Sequence, residues 1–203
     1  MGRYMNEVKP AAPHSPLPMQ PSDDACLEFV NSTWADHLGS GRQYDRLPLP
    51  MFQAWFQGRF GLELDQPLGP AAVRQLSEMR PLMRRALEDW GSGRPPRPAD
   101  VRRLDRAVAA VPMVRRADLA GTGTRLVPVR RDTAWLMAEL AASSLTLIAT
   151  GDHRRLKVCG NEACSWMFLD ESANLTRRWC DPAICGNLVK VRRFRDLRRQ
   201  SNA

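Results

Sequence analysis

Four cysteines near the C-terminus constrain this chain more than any other feature. Cys159, Cys164, Cys180 and Cys185 fall within 27 residues in the spacing C-x4-C-x15-C-x4-C. Two short cysteine pairs joined by a loop are the usual format of a structural zinc site. Each pair folds as a tight knuckle with its sulfurs pointing inward, and the residues between must form a hairpin that returns the chain to the metal. Four thiolates close the tetrahedron and leave no position for water, so such a site holds structure and does not activate a nucleophile. Two disulfides or a redox centre would use the same residues. The N-terminus shows no basic start followed by an apolar run, so a reducing, cytoplasmic setting is expected, where disulfides are rare. That setting and the paired spacing favour one structural Zn²⁺. Cys26, the fifth cysteine, stands apart on an amphipathic stretch and outside the expected site.

The residues around the cysteines fit this reading. Gly160 offers the first knuckle backbone freedom. Trp166, Met167, Phe168 and Leu169 read as a strand that supplies a miniature core, and Trp179 is expected to pack on it. Asp170 and Asn174 bracket the return loop, where such side chains satisfy local backbone donors. Asp181-Pro182 sets proline at a first helical position, so a helix is expected to begin at the second knuckle. Knuckle, hairpin and helix together resemble a treble clef.

Charge is concentrated in the same region. The chain carries 30 basic and 22 acidic side chains, a net of +8. Residues 1–152 hold 19 basic against 17 acidic, while residues 153–203 hold 11 against 5. Four thiolates with one Zn²⁺ carry −2, which leaves the C-terminal segment at about +4 and still the more basic part. Beyond the last cysteine come Lys190, Arg192, Arg193, Arg195, Arg198 and Arg199 against Asp196 alone. At 100° per residue Val191, Phe194 and Leu197 share one side, and Arg192, Arg195 and Arg199 share another with Leu188. This is an amphipathic basic helix anchored by the metal. Arg177 and Arg178, beside the second knuckle, could neutralise thiolates or reach phosphate.

The preceding segment reads as mainly helical. Apolar periodicity and end signals predict helices over 24–37, 49–60, from Pro70 to Gly91, from Pro98 to about Val111, and over 131–150. Met113–Asp118 and Thr124–Val129 flank Gly121-Thr122-Gly123 as a short β-hairpin. Its aromatic and methionine positions sit at core spacing. No Gly-rich phosphate loop, nucleophile elbow or paired-carboxylate signature appears. His14, His37 and His153 lie far apart and are expected on the surface. Five prolines punctuate residues 10–21, which read as a flexible tail. The expected class is α+β, mainly α: a tail over 1–21, a helical domain over 22–151 and a zinc module over 152–203. With 43% hydrophobic and 26% charged residues the composition is that of a globular protein. The most apolar run, 133–150, carries Glu139 and reads as a core helix, not a membrane span.

Cys159-x4-Cys164, Phe168-Leu169-Asp170, Ser172-x-Asn174, Arg177-Arg178-Trp179-Cys180 and Cys185-Gly186-Asn187 resemble the CGNR zinc-finger family of bacterial proteins. In that family the finger follows an N-terminal domain called ABATE, and Cys26-Leu27-Glu28-Phe29-Val30-Asn31-Ser32 is similar to its start. The resemblance implies a transcription regulator that binds DNA through the finger; a zinc enzyme would need an open metal position, which four thiolate ligands do not leave. One departure stands out: the motif ends in Arg, and this chain has Leu188. That change removes a cation from the Arg192/Arg195/Arg199 side and leaves the ligands untouched.

The expected function is therefore a DNA-binding regulator. Its nucleic-acid contacts would be Arg177, Arg178, Lys190, Arg192, Arg193, Arg195, Arg198 and Arg199, while the N-terminal domain senses an effector or forms a homodimer. An RNA-binding or protein-interaction adaptor using the same module is the alternative.

Overall fold

A computed structural model describes residues 22–118 and 123–201. The proline-rich segment and the apex of the 113–128 hairpin lie outside the described residues. The order is α1 (Ala25–Val30), β1 (Thr33–Ala35), β2 (Gln43–Asp45), α2 (Pro50–Phe60), α3 (Pro70–Gly91), α4 (Pro98–Ala109), β3 (Met113–Asp118), β4 (Gly123–Pro128), α5 (Thr133–Thr150), β5 (Leu156–Val158), β6 (Met167–Leu169) and α6 (Asn187–Ser201). The strands form three two-stranded antiparallel sheets: β1 with β2, β3 with β4, β5 with β6. The class is α+β and mainly α.

Local chemistry explains the helix ends. Proline opens α2, α3 and α4, where its missing N–H costs nothing. The Asp132 side chain caps α5 by accepting from Trp135 N at 3.2 Å. α5 is long and apolar enough by length and composition to cross a membrane. Here Trp135, Leu136, Ala138, Leu140, Ala141 and Ser144 are buried instead, and α5 packs against α1, α3 and α4. From α3, Leu76, Met79, Leu82, Met83, Ala86 and Leu87 fill the same core at steps of three and four.

The first helix is shorter than its periodicity predicts. It stops at Val30, and the fully buried Asn31 and Ser32 that follow also carry side-chain bonds to distant segments, Met167 and Arg80. Ser32 Oγ donates to Phe29 O at 2.6 Å and accepts from Arg80 Nη1 at 2.7 Å. Arg80 also clasps Asp45 through both guanidinium nitrogens, at 2.7 and 2.6 Å. The chain then enters β1, where Trp34 stands opposite Tyr44 and their rings stack 4.9 Å apart. His37 is not simply a surface residue: it is half-buried and stacks on Trp34.

Leu156 and Met167, from the cysteine-rich segment, belong to this same core. In a strand, successive side chains point to opposite faces. Within β6, Met167 therefore enters the helical core and Phe168 turns to the cysteines. The expected miniature core is in this way divided between two neighbours.

Glu28 is completely buried, and burial pushes its carboxyl up to about 7 from an ordinary 4.5, against the Ser22 N–H and the charges of Arg46 and Arg59. Between those two values the unfolded chain has released this proton and the folded protein has not. Stability should thus fall as pH rises from about 4.5 to 7 and level off above. Glu28→Gln is expected to remove that part of the pH dependence and to stabilise the protein at pH 8 by up to about 3 kcal/mol. Urea unfolding of both proteins across pH 5 to 8 checks this, and a Gln variant with an unchanged pH profile would refute it.

Candidate metal centre

The first knuckle forms as β5 runs out. Cys159 N donates to Trp166 O at 2.9 Å, Gly160 N to Arg178 O at 2.8 Å, and Cys164 N to Asn161 O at 2.7 Å. The return loop is organised around Asp170, which is fully buried. Its carboxylate accepts from Lys157 Nζ at 2.5 Å, Ser172 N at 3.0 Å, Ser172 Oγ at 2.6 Å and Arg177 N at 2.9 Å. Burial alone would raise this acid, but those four donors outweigh it and hold it well below the usual carboxylate range. Lys157 also donates to Leu175 O at 2.5 Å. Asn174 accepts from Thr176 Oγ1 at 2.8 Å.

The second knuckle is capped by Asp181. Its side chain accepts from Ala183 N at 2.8 Å and Ile184 N at 3.1 Å, and its carbonyl accepts from Cys185 N at 2.9 Å. One wide π-type turn, Pro182–Gly186, leads directly into α6. Arg177 completes the knuckle. It donates to Trp179 O at 3.0 Å and to Cys180 O, and its guanidinium lies 4.6 Å from the Phe168 ring centre.

Trp179 lies between two glycines. A Cβ on Gly160 would stand 3.1 Å from its ring, and one on Gly186 would stand 3.0 Å from it. Neither position requires a positive φ. Gly160 is therefore needed for close approach of the indole, not for backbone freedom. This accounts for glycine after both knuckle cysteines.

All four Sγ atoms lie within 4.8 Å of one another. Cys164 Sγ is 3.8 Å from Cys180 Sγ, which is 3.7 Å from Cys185 Sγ. A zinc tetrahedron with bonds of about 2.3 Å has sulfur–sulfur edges of about 3.8 Å, so the donor set fits that ion. Four thiols this close perturb each other: contact with Cys164 pulls Cys159 down, and contact with Cys159 pushes Cys180 up. A divalent cation resolves the conflict by binding all four as thiolates. Cys26 is buried elsewhere, with its thiol pushed up to about 11 by burial.

The module is fastened to the helical body by residues that motif spacing alone does not reveal. Asn31 Nδ2 donates to Met167 O at 2.8 Å, and Asn31 Oδ1 accepts from Met167 N at 2.9 Å. Arg84 donates to Ser165 O at 2.7 Å. Arg46 lies between the Trp34 and Trp166 rings, 4.8 and 5.5 Å from their centres. Buried Asn161 donates to His37 O at 3.0 Å and contacts Cys185 Sγ at 3.6 Å. Arg192 joins this cluster, donating to Asn161 Oδ1 and His37 O, both at 3.0 Å.

The cations named from the sequence separate into two groups. Arg177 and Arg192 are held by backbone carbonyls and Asn161. Arg178, Lys190, Arg193, Arg195, Arg198 and Arg199 are exposed. Of these, Arg178 lies over the Trp179 ring and Arg198 over the Phe194 ring. No side chain of α6 is fully buried, and its apolar stripe faces solvent, with Phe194 58% and Leu197 56% exposed. Leu188 is half-buried at its first turn.

Four cysteine sulfurs placed for one zinc and docked on a helical body define a zinc-binding protein. The chain belongs to the ABATE family, whose model, described as "Putative stress-induced transcription regulator", matches residues 23–151. The CGNR zinc finger model matches residues 155–199. Neither description is that of an enzyme. No curated protein matches the chain.

Proposed function

We propose that this zinc-binding regulator acts by binding duplex DNA, with Arg178, Lys190, Arg193, Arg195, Arg198 and Arg199 contacting the nucleic acid. The observation that carries the reading is α6 itself. It grows from the knuckle that holds Cys180 and Cys185, carries cations along its length and buries none of its side chains. A rigid metal site gives such a helix a defined direction, which is what placement in a groove requires. Arg177 and Arg192 serve differently here: they hold the knuckle and the start of the helix in place. The reading carries with it a reducing, cytoplasmic setting in which the thiols remain available to metal.

If four phosphates are neutralised, log K should fall with log salt with a slope near about −3.6. Arg193→Gln with Arg195→Gln should weaken binding and flatten the slope by about two units. Leu188→Arg should strengthen it if that side of the helix meets the backbone. Titration of a labelled duplex at several salt concentrations decides the matter. Absence of duplex affinity at low salt would instead favour a protein-interaction adaptor, for which the solvent-facing stripe of Val191, Phe194 and Leu197 would be the contact.

A further inference from the structure

A second basic surface lies outside the zinc module. Residues 94–131 hold ten arginines against three aspartates, a density that the near-balance of the N-terminal region conceals. Arg94 and Arg97 pair with Asp89, Arg130 with Asp132 and Arg131 with Glu63. The other six, Arg102, Arg103 and Arg106 on α4 and Arg115, Arg116 and Arg125 on the β3–β4 ribbon, form no ion pair among the described residues.

The ribbon is the unusual part. β3 and β4 pair with each other and make no substantial contact with another element. Their side chains from Arg115 to Ala117 and from Thr124 to Leu126 are exposed. The register sets Arg116 directly opposite Arg125, on one face, and Arg115 opposite Leu126 on the other. Like charges directly opposite on a sheet face are destabilising. Among the described side chains no ion pair joins either arginine to an acid, and both arginines are exposed, outside the core. A polyanion would turn the repulsion into attraction, and a two-stranded ribbon has the width that the major groove of DNA admits.

The geometry points to the β3–β4 ribbon as a second contact with duplex DNA, its Arg115, Arg116 and Arg125 bonding phosphate oxygens. This rests on the DNA-binding reading above and extends it to a surface outside the zinc module. In the chain, α5, about 27 Å long, separates the ribbon from the zinc module. Cations on both faces of the ribbon suit a groove flanked by phosphates on either side.

The test uses the full zinc-loaded chain and a mixed-sequence duplex long enough for several helical turns. Arg115→Gln, Arg116→Gln and Arg125→Gln together should weaken binding about tenfold or more at 100 mM salt and flatten the salt slope by about two to three units. The corresponding three Arg→Lys changes should keep the slope. Arg125→Thr alone should raise the melting temperature of the free protein while lowering affinity, because it removes the opposed charge and a phosphate contact together. A fall in melting temperature would mean that Arg125 serves the hairpin, against the proposal. If the Gln triple binds as the unaltered chain does while the α6 variant loses affinity, the ribbon proposal fails and the finger reading stands. If the unaltered protein binds no duplex at low salt, both fail.

Discussion

Removal of zinc is expected to unfold residues 155–199 while α1 to α5 remain helical but less stable. The buried core of the module is Cys159, Cys164, Cys185 and Phe168, with Trp166, Trp179 and Cys180 only partly covered. Three of those four buried residues are metal ligands, so little apolar surface remains to hold the fold without the ion. The effect reaches the body because Leu156 and Met167 sit in its core. Withdrawing a side chain of that size from a packed core costs about 2–5 kcal/mol. Chelation should therefore remove the helical signal of α6, keep most of the rest, and lower the melting temperature of what remains. Metal analysis should give one zinc per chain. Cys180→Ser should lose it, and Cys26→Ser should retain it. The reverse pattern, or equal melting temperatures with and without chelator, would overturn the assignment.

Asn31→Ala should be among the most damaging single changes outside the metal site. Asn31 satisfies both the N–H and the C=O of Met167 in a buried position, acting as a one-residue extension of the β5–β6 sheet. Alanine leaves both backbone groups unpaired away from water, at about 1–3 kcal/mol each. A loss of about 2–5 kcal/mol is expected in denaturant unfolding. Asn174→Ala, at an exposed position of the return loop, should change stability by no more than about 0.5 kcal/mol. Equal effects of the two changes would show that Asn31 is not the fastener described.

The helix starts at Pro70 and Pro98 and the 113–128 hairpin were legible because they depend on neighbours in sequence. The zinc site was legible for a related reason: thiolate chemistry and knuckle spacing are short-range. Asn31 was visible only as part of a family resemblance, and its position argued for continued helix. Nothing within several residues of it signals a partner 136 positions away. Gly160 shows the same limit. Glycine suggests backbone freedom, whereas the requirement comes from an indole delivered by the second knuckle.

By itself the sequence determined the four sulfur ligands, the mainly helical class and the concentration of charge behind the last cysteine, since spacing and composition express these directly. Tertiary structure alone decided how those parts are used. It divided β6 between two cores, drew Arg177 and Arg192 into structural hydrogen bonds, and left the α6 stripe and the arginines of the β3–β4 ribbon facing water. The physical reason is that burial and hydrogen-bond satisfaction belong to whichever surfaces meet, and the meeting of Met167 with Asn31, or of Arg192 with His37, is set by packing between segments far apart in the chain.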